Sequence, residues 1–257
     1  MKGCFIVFEG IDGSGKTVQF LELAKKLRKD NYNVVLTKEP TTQRPIGKLI
    51  RSILYNNDKV ADEALALLFA ADRADHTKEK IIPALNEGVV VLSDRYVYSS
   101  YAYQAKGMKT ELDLNWIKII NKFAKIPDIV VFLDIPPEVG LNRLQKGQKR
   151  IQDDAYFEDL IKQEKIRSIY YKVLNLERKV KDLWEFENIK KIQKNDKYEV
   201  VVSEGAQVLR IDGTLSISEI HDIIYEYIKL YLEKNQITKM EKNTYQYKKL
   251  LKVFSKD

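Results

Sequence analysis

Residues Gly10-Ile11-Asp12-Gly13-Ser14-Gly15-Lys16-Thr17 satisfy G-x-x-x-x-G-K-[ST], with a short apolar run before them and an amphipathic run after. Each residue type serves polyphosphate binding. Glycines let the backbone curl until successive N–H groups converge on phosphate oxygens. The helix that starts there adds the positive end of its dipole. Lys16 has the reach for β- and γ-phosphates, and the Thr17 hydroxyl can ligate Mg2+. The pattern implies a nucleoside triphosphate. It does not say where the phosphate goes, because switches, motors and kinases share it.

Other residues carry chemistry of their own. Asp94 and Arg95 end an apolar run, at the place where wound α/β sheets bind ligands. Arg95 can clamp a phosphate with two donors, and Asp94 can hold Mg2+ through water; a salt bridge capping the strand is the alternative. Phe69 and Arg73 stand one helical turn apart, so they share a side. A ring and a guanidinium fork there suit a flat base, although a core phenylalanine beside a surface arginine has the same spacing. Asp12 is a carboxylate among phosphate ligands and needs a partner other than phosphate. Tyr103 fits either a site or the core. Gln104 offers both donor and acceptor to a ring edge. Arg143, Lys146, Lys149 and Arg150 with Gly147 form a basic stretch suited to a lid over phosphate, or to a solvated loop.

These residues must be positioned by strands and helices in alternation. Apolar, β-branched runs at 4–8, 33–37, 89–93 and 129–133 predict buried strands, and 208–211 could supply a fifth. Helical periodicity covers 16–29, with Phe20, Leu23, Ala24 and Leu27 on one face. It covers 61–85 as one long helix with Leu65, Leu68, Phe69 and Ala71 on its apolar side. Further helices are predicted over 114–125, 137–144, 157–178 (Ile161, Ile166, Ile169 and Leu174) and 216–232, the last with a polar N-cap and Ile220, Ile223, Ile224 and Ile228 in register. The expected fold is α/β: a P-loop NTPase-type wound parallel sheet of about five strands flanked by helices. One domain over 1–232 is expected, with a lid at about 143–154 and a charged insertion at 179–204 that contains a possible hairpin strand, 198–202. A lysine-rich extension, 233–257, follows.

Composition narrows the classes. The chain has 257 residues, 44% of them hydrophobic and 32% charged, as in a well-buried globular domain. It holds no apolar run of 18 residues, so no membrane span is expected. Its start lacks the features of a secretory signal, and its one cysteine, Cys4, excludes an internal disulfide. Both point to a reducing cytoplasm. The net charge of +7 suits a handler of phosphates. Lysines are interspersed with acidic residues, and only the tail is lysine- and tyrosine-rich, so a nucleic-acid partner is disfavoured. A GTP-dependent switch needs Asn-Lys-x-Asp, whereas the nearest string is Asn121-Lys122-Phe123-Ala124.

In order along the chain, Phe8 to Thr17, Leu67-Leu68-Phe69-Ala70-Ala71-Asp72-Arg73, Asp94-Arg95-Tyr96 with Ser99, Ser100, Tyr103 and Gln104, and Pro127-Asp128 through Asp134 to Pro137-Glu138-Val139-Gly140-Leu141 resemble the motifs of the thymidylate kinases. The likeness covers about 3–178 and 206–232. It implies transfer of the γ-phosphoryl group of ATP to dTMP, with Mg2+, in a homodimer; a neighbouring (deoxy)nucleoside or monophosphate kinase is the alternative. It implies that Phe69 stacks on thymine and Arg73 donates to a base carbonyl. Arg95 and Ser100 belong to its monophosphate segment. Asp12 would accept from the sugar 3′-hydroxyl, Tyr103 would crowd the 2′ position, and Arg143 would lie against adenine. The family draws its catalytic arginine from the phosphate loop or from the lid. Gly13 occupies the loop position, which leaves the lid, and Arg150 is the expected residue. The string Lys149-Arg150-Ile151-Gln152 replaces the usual acidic-Arg-aromatic-Glu.

Overall fold

The computed structural model describes residues 3–105, 111–145, 153–176, 197–237 and 239, with the backbone alone at 111–112 and 153–157. Six strands form one sheet in the order β2-β3-β1-β4-β6-β5. They are β1 (Cys4–Glu9), β2 (Val34–Lys38), β3 (Val90–Asp94), β4 (Ile129–Asp134), β5 (Tyr198–Ser203) and β6 (Ala206–Asp212). The first four and β6 are parallel, as their unbroken apolar runs predict. β5 adds a sixth, antiparallel strand at the edge. It turns into β6 through Glu204 and Gly205, both with positive φ, the geometry of a tight hairpin.

Alternation within the strands divides the core. Cys4, Ile6 and Phe8 of β1 face one layer, with Phe20, Leu23 and Leu27 of α1 (Lys16–Lys29) and Ile220, Ile224 and Ile228 of α9 (Ile217–Lys234). Phe5 and Val7 face the other, against Ile81, Tyr96, Ile117, Ile166 and Tyr170. Helix α9 starts at a capping box: the Glu219 N–H donates to Ser216 Oγ, and the Ser216 N–H to the Glu219 carboxylate.

The remaining helices include α2 (Pro45–Asn56) and α5 (Val97–Gln104), which periodicity did not reveal. Pro45 at the first turn is the local signal for α2. The helix expected over 61–85 is α3 (Asp62–His76), a π-helical turn (Thr77–Ile81) and α4 (Ile82–Asn86) in succession. Pro83 lacks the N–H that an unbroken α-helix would use there. Its buried face also differs from the expected one. Ala71 is exposed and Leu65, Leu68 and Phe69 are half-buried, while Ala66, Ala70, Asp72, Arg73 and His76 are buried. The helix covers a polar network, described below, rather than an oily core. Three more helices follow: α6 (Glu111–Ile120), α7 (Pro137–Gln145) and α8 (Asp153–Val173). On α8 Ile166 is buried, but Ile161 is 59% exposed. No helix among the described residues is long and apolar enough to cross a membrane.

The face of α1 gives a direct test. Leu23 is fully buried against the sheet, and Leu21 is 50% exposed. Leu23→Ala should lower unfolding free energy by about 2–5 kcal/mol and Leu21→Ala by roughly 0.5 kcal/mol or less, measured by chemical denaturation.

Candidate active site

The loop between β1 and α1 is built to hold an anion. Gly15 caps α1 at φ +92°, with no side-chain cap and no acidic residue in the first turn, so the first N–H groups are left for a ligand. Gly13, at φ +75°, packs on α7: a Cβ there would lie 2.2 Å from the Gly140 carbonyl oxygen. No side chain fits at this position, an arginine included. Lys16 folds back, and its Nζ donates to Gly10 O at 2.9 Å, Ile11 O at 2.7 Å and Ser14 Oγ at 3.2 Å. Burial, and then the nearby Arg95 charge, hold the Lys16 ammonium down to about 7 against the pull of Asp12, Asp94 and Glu9. Thr17 Oγ1 donates to Asp94 Oδ2 at 2.7 Å, which joins the two oxygen groups expected at Mg2+. Arg143 reaches the same loop from α7, donating to Gly13 O at 3.4 Å and Gly213 O at 2.9 Å.

A cavity opens beside this loop. Asp12, Phe69, Arg73, Arg95, Ser100, Tyr103 and Gln104 all line it, together with Pro40, Leu54 and Leu65. At its phosphate-loop end Arg95, at φ +70°, is ion-paired with Asp12 and lies over the Tyr103 ring at 4.9 Å. A non-glycine residue in the left-handed region is strained, and here the strain aims a guanidinium into the cavity. Burial alone would raise the Asp12 carboxyl, but Arg95 and Lys16 hold it below its usual range. Elsewhere in its lining Gln104 Oε1 is buried with no hydrogen-bond partner, an acceptor left for a ligand. The Ser100 hydroxyl lines the wall, where its oxygen accepts from Arg73 at 2.9 Å. Lys146, Lys149 and Arg150 lie outside the described residues.

Several residues of the site were not anticipated. Glu9, fully buried at the end of β1, accepts from the Tyr96 N–H at 2.9 Å, Ser99 Oγ at 2.6 Å and Tyr170 OH at 2.8 Å. Burial pushes its carboxyl up despite these bonds. Glu39, just past β2, pairs with Arg73 at 2.7 Å. Asn121 also accepts from Arg73. Gln163 of α8 donates to Asp12 at 3.2 Å. The signal for Glu9 and Glu39 was available: each is a carboxylate at the carboxyl end of a predicted strand, as Asp94 is.

A wound, mostly parallel sheet with a phosphate loop after its first strand, and a lined cavity beside that loop, defines a P-loop α/β protein. Comparison with known proteins narrows the class. The thymidylate kinase family model matches residues 8–183. The chain is 47% identical to a probable thymidylate kinase of Pyrococcus horikoshii over 182 residues, 68% of this chain and 85% of that one. It is 43% identical to the probable thymidylate kinase of Thermococcus kodakarensis over 197 residues (73% and 92%). It is 40% identical to the thymidylate kinase of Clostridium novyi over 178 residues (67% and 85%). The chain belongs to the thymidylate kinase family.

Lys16 gives the site a pH signature. A triphosphate beside it raises its proton affinity above the free value of about 7. Between that value and the bound one, binding must take up a proton, and affinity falls as pH rises. At about pH 8.5, calorimetry in two buffers of different ionisation enthalpy should show proton uptake with ATP. Lys16→Met should abolish it; equal uptake by both proteins would contradict the assignment.

Proposed function

We propose that the protein transfers the γ-phosphoryl group of ATP to dTMP, giving dTDP and ADP. The observation that carries this reading is the cavity beside the phosphate loop, lined by Arg95, which is paired with the loop's Asp12, by the aromatic face of Phe69 and by the open amide of Gln104. That set suits a nucleoside monophosphate laid with its phosphate toward the donor. Phe69 stacks on the base, and Arg73 and Gln104 meet its polar edge. Asp12 and Tyr103 border the sugar, and Arg95 clamps the acceptor phosphate. Arg143 lies on the side of the donor's adenine.

An oxygen of the acceptor phosphate bonds to the γ-phosphorus as the bond from that phosphorus to the β–γ bridging oxygen breaks. A phosphate oxygen is nucleophilic near neutral pH, so no strong base is needed. Negative charge spreads over the oxygens in flight, and rate comes from alignment and neutralisation. Lys16 covers the donor side. Thr17 Oγ1 and Asp94 Oδ2 are oxygen donors already in contact, as Mg2+ coordination favours, and they are the residues proposed to hold it. When bound, the ion neutralises phosphate charge. The remaining charge is assigned to the lid. Position 13 admits no side chain, which supports a lid arginine, and Arg150 is that residue. A homodimer is supported by apolar side chains exposed on adjoining helices, Leu49 of α2, Leu67 of α3 and Ile119 of α6. A reducing cytoplasm suits a chain with one cysteine.

ATP-dependent turnover across dTMP, dUMP, dCMP, dGMP and thymidine tests the substrate. The highest kcat/KM should fall to dTMP; a purine monophosphate or thymidine above it would overturn the proposal.

The lid has its own test. An arginine that meets the phosphoryl group mainly in the transition state appears in kcat rather than in binding. Arg150→Ala should lower the single-turnover rate by up to about 10³, with Kd values little changed. A larger loss for Lys146→Ala or Lys149→Ala would move the role to that lysine.

A further inference from the structure

Behind the cavity lies a chain of buried polar groups that the phosphoryl transfer does not use. Thr37, Glu39, Arg73 and His76 are each 8% exposed or less, and His76 is fully buried. Glu39 Oε2 accepts from Arg73 Nε at 2.7 Å. Glu39 Oε1 lies 2.9 Å from His76 Nδ1, and His76 Nε2 lies 2.6 Å from Thr37 Oγ1. A carboxylate can only accept, so Nδ1 must carry a proton. Only Glu39 and Arg73 of this set line the cavity. Burying such groups costs free energy unless each is paired, and apolar residues of similar volume would stabilise a core at least as well. What the paired chain supplies is a fixed geometry.

The group that benefits is the Arg73 guanidinium. Of its five N–H bonds, Nε points to Glu39, one on Nη1 to Asn121, and those on Nη2 to Tyr96 O and Ser100 Oγ. One N–H remains, on Nη1. Its direction depends on Glu39 holding Nε, because rotation about Cδ–Nε would swing it away. Glu39 is itself held on its other oxygen by His76.

We propose that His76 is a positioning residue for base recognition: through Glu39 it fixes the one N–H of Arg73 that is left for the acceptor. The inference rests on the thymidylate reading above. That N–H donates to a ring carbonyl and disfavours an exocyclic amino group, which would set donor against donor and leave a buried N–H unpaired. His76 therefore governs discrimination between a pyrimidine carrying a carbonyl and one carrying an amino group, without touching either.

Two substitutions separate this role from plain packing. The Asn amide nitrogen stands where imidazole Nδ1 does, and the Gln amide nitrogen where Nε2 does. His76→Asn keeps the bond to Glu39 and loses Thr37; His76→Gln does the reverse. With dTMP and dCMP as alternative acceptors, His76→Gln should cut the kcat/KM ratio on the order of tenfold, mainly through KM for dTMP. His76→Asn should stay near wild type in that ratio, even if both variants melt earlier. Equal ratios for the two variants would overturn the proposal. Nitrogen-15 NMR of histidine-labelled wild-type protein is an independent check that needs no variant, since the chain has only two histidines. A proton on Nδ1 of the buried ring supports the relay, and an imidazole protonated on Nε2 alone overturns it. A wild-type enzyme that takes dCMP as well as dTMP sinks the acceptor reading and this proposal with it. A preference for dTMP that survives His76→Gln sinks the proposal only.

Discussion

Glu9, Glu39 and Asp134 stand at the carboxyl ends of β1, β2 and β4, buried, and must be paired; their partners, with that of half-buried Asp94 on β3, decide where the surrounding helices sit. Glu9 at the end of β1 takes donors from the start of α5 and from Tyr170 of α8. Glu39 beyond β2 takes Arg73 and His76 of α3. Asp94 of β3 takes Thr17 of α1. Asp134 of β4 takes Arg167 and Tyr171 of α8 and Arg210 of β6, and although burial opposes ionisation these bonds hold its carboxyl below the usual range. An unpaired charge in such a place would be strongly destabilising. The same requirement that closes the fold therefore gathers the polar residues of the site on one edge.

One of these pairings is exchangeable with ligand chemistry, as are the bonds of Lys16 in the phosphate loop, and two are not. Thr17 with Asp94, and Lys16 with the loop carbonyls, are oxygen- and cation-bearing groups that satisfy one another across the space where phosphate and Mg2+ are proposed to bind. Glu9 and Asp134 are saturated by tyrosine and arginine donors and serve as fixed supports. Glu39 stands between these cases. It lines the cavity, yet both its oxygens are engaged behind the wall.

What was legible in the sequence follows from the range over which each pattern is determined. The phosphate loop is eight consecutive residues with a strand before and a helix after, and its geometry is local. The strands are continuous apolar runs, and the buried face of α1 has strict periodicity. Helix α3 misled because periodicity reports apolar burial, and this helix buries Asp72, Arg73 and His76. Their partners lie 23 to 48 residues away, at Thr41, Glu39, Thr37, Tyr96, Ser100 and Asn121, beyond any local pattern. Leu65, expected on the helix's apolar side, and Phe69, expected at the base, are half-buried and line the cavity. Glu9 and Glu39 were legible in principle by the rule that singled out Asp94, applied to every strand end rather than one.

Pairings of the same kind hold the two helices on either side of the segment 146–152. Both helices beside it are tied to the phosphate loop, α7 through Arg143 and the close approach of Gly140 to Gly13, and α8 through Gln163 to Asp12. Farther along α8, Arg167 and Tyr170 fasten it to Asp134 and Glu9. Between the last residue of α7 and the first of α8 run seven residues, 146–152. Both ends of that segment are therefore anchored at the phosphate loop, where Gly13 has no room for a side chain.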